Sequence, residues 1–411
     1  MLLNSETVII GAGLAGLACA NVLEKAGKEF LILEKANQVG GRVRTDHLKG
    51  FQLDHGYQVL NPGYPQAKAL LNLEKLKLNH FDAGFAIRDG AKLRTIKDPF
   101  RHPQEIARTL ANLPGTFREK INFAKYLTKV LITPQGARLK RADLTSRAAL
   151  VEAGVDEELL NKVLKPFLSG VFLESKLETS RLFLDEVLAS FFSGTPALPA
   201  AGMGAIAQQL AENISTSKLL LNQNVLKIEP GLVTTQTERF AAKNIVLATD
   251  VQVATKLLAL PEPKVHKVKT WYLVADQDKS EILSGEKLLI TDASANAALV
   301  NSVVLSNIAE SYAPADTALI SASAVEKNIE MDKKSLLSAL AKLYQLPTEN
   351  WKILAEYEIL NALPAMYAPF NPKRNSKVSQ GLFVAGDHRN FSSIQGALDS
   401  GVRAASEVLN S

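Results

Sequence analysis

The chain is almost devoid of cysteine: Cys19 stands alone among 411 residues. No internal disulfide can form, and a reducing compartment, the cytoplasm, is the expected location, with the inner face of the membrane as a variant of it. Cys19 falls on the expected buried side of the first helix, where a thiol is inert rather than catalytic. Histidine is also sparse, six in all, with His102 before a proline and His266 in a basic strand. Capping or surface roles are expected for these, and no metal site. Long hydrophobic runs are missing too. The stretch 187–211 lacks charge for twenty-five residues, but Gly194, Pro196, Pro199, Gly202 and Gly204 interrupt it and forbid a spanning helix. Residues 1–7 carry no basic side chain and run directly into a strand, so a secretory signal is not expected. There is no internal repeat, no low-complexity tract and nothing resembling a nucleic-acid-binding module.

What remains is a composition of 46% hydrophobic and 22% charged residues, enough for a large core and two domains. The densest signal lies at the start. Thr7-Val8-Ile9-Ile10 reads as a strand that empties into Gly11-Ala12-Gly13-Leu14-Ala15-Gly16, followed by a helical pattern over 17–25. The three glycines serve different ends. Gly11 permits a tight turn, Gly13 lets the backbone approach a pyrophosphate, and Gly16 lets the helix pack on the strand. The phosphates belong on the helix N-terminus, where free N–H groups point outward. A second strand over 29–33 ends at Glu34, whose carboxylate suits both hydroxyls of a ribose and disfavours a 2′-phosphate.

The following segment, Gln38-Val39-Gly40-Gly41-Arg42-Val43-Arg44-Thr45, resembles one that the flavin amine oxidase and phytoene desaturase superfamily carries just after its ribose-binding acid. The resemblance implies FAD, and extends through Gly50-Phe51-Gln52-Leu53-Asp54-His55-Gly56-Tyr57-Gln58 and Gly381-Leu382-Phe383-Val384-Ala385-Gly386-Asp387 to Ser392-Ser393-Ile394-Gln395-Gly396-Ala397. It places cofactor contacts at Gly11, Gly13, Leu14, Ala15, Gly16, Glu34 and Lys35; at Gly40, Gly41 and Arg42, the arginine neutralising the pyrophosphate; and at Asp54, Gly56, Tyr57 and Gln58 beside the flavin ring. Val225 brackets the adenine. Gly386 and Asp387 serve the phosphates and ribityl chain, and Ser393, Ile394, Gln395 and Ala397 open a last helix whose dipole favours the reduced ring. Family members with covalent flavin use a cysteine near the C-terminus, and this chain has none there, so non-covalent FAD is implied.

The resemblance implies an α/β protein: a discontinuous Rossmann-like FAD-binding domain (1–75, 195–258 and 375–411) with an inserted α+β substrate domain (76–194 and 259–374) carrying a mixed sheet and a helical lid. Within the insert, 76–194 reads as helical, while strands are expected over 269–274, 298–305 and 317–324 and a helix over 333–344. Lys165-Pro166-Phe167-Leu168-Ser169-Gly170-Val171-Phe172 resembles a segment of the carotenoid desaturase branch, and Ala362-Leu363-Pro364-Ala365 a turn before the flavin-binding finish.

The implied activity is removal of hydride from a hydrophobic substrate, an isoprenoid- or carotenoid-like desaturation, with oxygen or a quinone as acceptor. A protoporphyrinogen- or amine-type oxidase, and a non-catalytic flavin- or lipid-binding protein, are the alternatives. No acid–base pair stands out: Lys267 and Lys269 lie in a plausible strand but in no motif. His55, Tyr57, His388 and Arg389 are the polar candidates for substrate or quinone contact. Charge is unevenly distributed, since 101–147 holds ten basic residues against three acidic ones in a chain of net +5. With Phe117, Ile121, Tyr126, Leu127, Val130, Leu131 and Ile132 as an apolar side, this segment reads either as a peripheral surface for anionic lipid or as a solvated cap over the cavity.

Overall fold

The computed structural model describes residues 2–98, 101–155, 157–372 and 374–411; Met1, Pro99, Phe100, Asp156 and Lys373 lie outside the description. The elements that carry the argument are, in chain order, β1 (Leu2–Ile10), α1 (Leu14–Lys25), β2 (Phe30–Leu33), β3 (Thr45–Leu48), β4 (Phe51–Asp54), α2 (Phe117–Ile132), α3 (Lys165–Phe172), α4 (Arg181–Ser193), β5 (Arg239–Leu247), β6 (Val265–Ala275), β7 (Asn301–Val304), β8 (Ala318–Val325), β9 (Lys352–Pro364), β10 (Leu382–Val384) and α5 (Ile394–Leu409).

Two sheets organise them. In the first, β1 lies between β2 and β5, all parallel, with Ile9 level with Ile32 on one side and Val246 on the other. β5 is long enough to serve two partners: its start pairs antiparallel with Leu232–Thr235 and its end parallel with β10. Ile9, Ile32 and Val246 are fully buried, as a parallel sheet covered on both faces requires. α1 covers this sheet and is itself covered by α5, at a contact so close that a Cβ on Gly401 would stand 2.1 Å from the Ala15 carbonyl oxygen. The chain therefore ends against the helix with which it nearly begins.

The second sheet has the order β9-β6-β8-β7, then Leu289–Asp292, Gly84–Asp89 and Lys92–Lys97. Three expectations are corrected here. The hairpin 84–97 belongs to this sheet although 76–194 reads as helical. β9 runs for thirteen residues to Pro364, so Ala362-Leu363-Pro364 ends a strand rather than forming a turn. α1 starts at Leu14, which places Gly16 inside the helix. The helix at Lys333–Tyr344 matches the sequence reading to the residue, and the segment Lys165–Phe172 forms α3 within the stretch that reads as helical.

Helices between the hairpin and residue 193 form a separate apolar cluster around Leu150, Leu160, Phe172 and Leu184. α2 enters it through Tyr126 and Val130, and the Tyr126 hydroxyl donates to Asp185 at 2.5 Å. Thr116 and Glu119 cap the N-terminus of α2 reciprocally. The apolar residues of α2 thus divide: Tyr126 and Val130 face inward, while Phe117 and Ile132 are 75% and 74% exposed. Among the described residues no helix is long and apolar enough to cross a membrane.

Candidate active site

A cavity of about 1150 Å³ opens between the two sheets and the helical cluster. It exceeds the roughly 300–1,000 Å³ usual for one small molecule, leaving room for a cofactor and a substrate together. One end is built from the glycine turns. Gly11 adopts φ +103°, and any side chain there would meet the Ala248 carbonyl oxygen at 2.8 Å. Gly16 lies under Gly11, where a Cβ would come within 1.9 Å of its carbonyl oxygen. Gly13 differs: its φ of −74° suits any residue, and a Cβ there would meet nothing within 4 Å. Its glycine leaves open space above the first turn of α1, whose leading N–H groups have no intrahelical acceptor. Gly40 donates to the Ala12 carbonyl at 2.9 Å and brings Gly41 against Gly13.

Glu34 is 6% exposed and accepts from the Ala12 and Ala36 N–H groups, both at 2.8 Å, which fixes its carboxylate at the cavity wall beside Lys35 and Val225. Arg42 donates to Asp387 at 2.6 Å and to the Ala362 carbonyl at 2.9 Å. Burial disfavours its charge, yet Asp387 outweighs that and holds the guanidinium more firmly protonated than usual. The two residues expected at pyrophosphate and ribityl chain therefore meet each other at the wall. The N-terminus of α5, capped by Ser393, opens into the same space with Ile394, Gln395 and Ala397.

Two helix N-termini, a gap that a Cβ would fill and a fixed carboxylate beside them fit the pyrophosphate and ribose of FAD. Gly11, Gly13, Leu14, Ala15, Gly56, Tyr57, Gln58 and Gly386 also line the cavity.

Four expected residues do not. Gly16 is spent on helix packing. Asp54 is 3% exposed and turns away, accepting from Thr45 Oγ1, the Met203 N–H and Tyr312 OH; burial pushes its carboxyl up to about 6 despite these bonds. It ties the Gly202-Met203-Gly204 turn to β4. His388 lies beside Gly386 on the far side of the wall, and burial drives its imidazole down to about 4 even with Asp387 adjacent. Arg389 donates to the Asn375 carbonyl and faces Arg374 and Arg403. Both lie outside the cavity because Asp387–Arg389 coils into a short helical turn.

His55 does line the cavity, with Nε2 3.0 Å from Asp46, which also accepts from Tyr357 OH at 2.9 Å. Tyr57 lies at the wall too, and burial raises its hydroxyl well above the ordinary range. Neither Lys267 nor Lys269 reaches it: Lys267 is exposed, and Lys269 pairs with Glu356 at 2.8 Å. His266, expected at the surface, is half-buried against Tyr367.

The other end carries no sequence motif. Its walls are Leu173, Phe183, Val187, Ile359, Leu363 and Phe391, drawn from elements far apart in the chain. Among the charged residues that line the cavity, Arg138 and Glu186 pair with each other at 2.9 Å. Lys35, at the opposite end, is the only lysine lining the cavity among the described residues.

Residues 14–409 match the family model for flavin containing amine oxidoreductase. An L-amino-acid oxidase from Notechis scutatus scutatus is 26% identical over 293 residues, 64% of this chain and 55% of that protein; the match thus spans about half the length of this relative. Among solved structures, an oxidoreductase from Methanosarcina mazei has a TM-score of 0.76 at 20% identity over 100% of both chains. A putative protoporphyrinogen oxidase from Exiguobacterium sp. 255-15 has 0.72 at 18%, over 100% of this chain and 99% of the other. These likenesses establish the fold. Cys19, the sole thiol, is buried in α1 and cannot tether a cofactor. The chain belongs to the flavin-containing amine oxidoreductase family, with FAD as its non-covalent cofactor.

Proposed function

We propose that the protein is an FAD-dependent oxidoreductase that removes hydride from a carbon of a largely apolar small molecule, as in desaturation of an isoprenoid- or carotenoid-like compound. The observation that carries this is the part of the cavity away from the glycine turns: its walls are largely apolar, no lysine lines it among the described residues, and Arg138 and Glu186 neutralise each other there. An amine or amino acid entering such a space would lose its hydration without gaining a free counter-charge.

When bound, FAD supplies the hydride acceptor. In this reading Glu34 holds the ribose, and the N-termini of α1 and α5 together with Arg42 offset negative charge. Phe183, Phe391 and Ile359 exclude water and orient the substrate. Anaerobic mixing of the holoprotein with polyenes, a porphyrinogen, primary amines and L-amino acids tests it. Loss of flavin absorbance with the polyenes alone is expected, and reduction by the porphyrinogen would favour the protoporphyrinogen-type alternative. Rapid reduction by an amine or amino acid would overturn it in favour of an amine-type oxidase, the second reading, which the family and the L-amino-acid oxidase relative favour. A flavin that none of them reduces would point to a binding protein.

The outer face of α2 is proposed to lie on anionic lipid. Phe117 and Ile132 are exposed there, with Ile106 and Leu110 on the preceding helix, and Arg118, Lys125 and Lys129 stand exposed among them. This is the arrangement of an interfacial helix. α2 packs on α4, which lines the cavity, so such a surface would lie one helix layer from the substrate space.

A further inference from the structure

One polar residue that the reaction leaves unused is Asn301, the first residue of β7. It is 5% exposed and lines the cavity, and its Oδ1 has no hydrogen-bond partner. A buried carboxamide oxygen without a partner is costly, so a cavity wall that keeps one holds it for something else. Space has been made for it. Gly170 of α3 stands across from it, where a Cβ would approach Nδ2 to 3.0 Å. Its neighbour on β8, Ser323, also lines the cavity, but that hydroxyl is shared with Thr270 Oγ1 at 3.0 Å. Val171 and Leu173 follow Gly170 along the same wall, so the amide stands at the edge of an apolar stretch, with Ser323 as its polar neighbour.

We propose that Asn301 is the polar anchor of a substrate subsite, and that the substrate is an apolar molecule carrying one neutral hydroxyl group that donates to this carboxamide oxygen. The inference rests on the apolar-substrate reading above and narrows it. A carboxamide offers one acceptor and two donor hydrogens and no charge. A charged terminus would have to be stripped of water here, and Arg138 and Glu186 already satisfy each other. A pure hydrocarbon would leave the amide as unpaired as it now is. Sites built to hydrogen-bond a substrate hydroxyl discriminate strongly against the analogue that lacks it.

The test uses purified holoprotein, with 1-decanol, decane and decanoate as probes and perturbation of the flavin absorbance as the signal. Wild type should bind decanol at least about tenfold more tightly than decane or decanoate, as one buried hydrogen bond implies. Asn301→Leu, close to isosteric, should reduce decanol binding to the level of decane while leaving decane binding unchanged. The same variant should melt higher than wild type without ligand, because it removes an unpaired buried amide; a merely structural asparagine would give a lower melting temperature. Equal affinity of wild type for decanol and decane, or retention of that preference in Asn301→Leu, would overturn the proposal. Decane binding, measured in the same preparations, separates the two readings: a flavin-loaded protein that binds neither decanol nor decane refutes the apolar-substrate reading, whereas one that binds both equally refutes the anchor alone.

Discussion

Gly13→Ala separates the cofactor cradle from the fold that carries it. At Gly11, Gly16 and Gly401 an added Cβ would collide with backbone at 2.8, 1.9 and 2.1 Å, so substitution there disrupts packing as well as binding. At position 13 the backbone is extended, with φ −74° and ψ 179°, and the methyl group would meet no protein atom within 4 Å. Stability of the flavin-free protein should therefore stay within about 0.5 kcal/mol of wild type, or rise slightly as the unfolded chain loses freedom. The methyl instead occupies the space above the first turn of α1. Displacing a pyrophosphate from two of the N–H groups there forfeits two hydrogen bonds to a charged acceptor, about 1.5–3 kcal/mol each. FAD affinity should fall roughly 10²–10⁴-fold. Titration of apoprotein with FAD, followed by quenching of flavin fluorescence, measures the loss, and thermal melts without FAD measure the fold. A variant that binds FAD as tightly as wild type would refute the placement of phosphate on α1. A variant that unfolds would refute the reading of that gap as empty.

Two further outcomes follow from single sites. Burial raises the Asp54 carboxyl from 3.8 to about 6, so the folded state holds a proton that the unfolded chain releases. Its stabilising contribution is complete below pH 4 and disappears as pH rises through 6, about 3 kcal/mol in all at 1.36 kcal/mol per unit. Relative to Asp54→Asn, wild type should lose that amount between pH 4 and 7 in denaturant titrations, and parallel curves would contradict the assignment. For the lipid surface, reversing Arg118, Lys125 and Lys129 to glutamate removes about 1 kcal/mol each of attraction, enough to abolish sedimentation with anionic liposomes at low salt while leaving the flavin spectrum unchanged. Lys120 is left intact because its ammonium group donates to the Leu110 carbonyl. Wild type that ignores such liposomes would leave α2 as a solvated cap.

The cofactor end was legible because dinucleotide binding is local: strand, glycine turn, helix and acid follow one another from Thr7 to Glu34, and chain spacing alone constrains them. Asp54 shows the limit of that logic. It stands two residues before a glycine at the cavity wall, but β4 is paired with β3, and the alternation of a strand turns Asp54 inward to Thr45 and the Met203 N–H. His388 and Arg389 were misplaced by the helical turn at Asp387–Arg389, which points them away from the wall.

The substrate end had no comparable local signal. β9 is not legible because it lies at a sheet edge, half-buried or exposed along its length up to Pro364, with Glu356 and Glu358 reading as loop-like polarity. The hairpin 84–97 joins Leu289–Asp292 across nearly two hundred residues of chain. Asn301, Arg138 and Glu186 meet the cavity only through such long-range pairing, which periodicity within a segment cannot reveal.

The most direct test of the account is to denature the purified protein, separate the chain from what it releases, and identify the flavin in each fraction. A yellow protein that gives up intact FAD to the supernatant and leaves a colourless chain is expected, and either the absence of flavin or flavin that stays with the denatured chain would contradict non-covalent FAD binding.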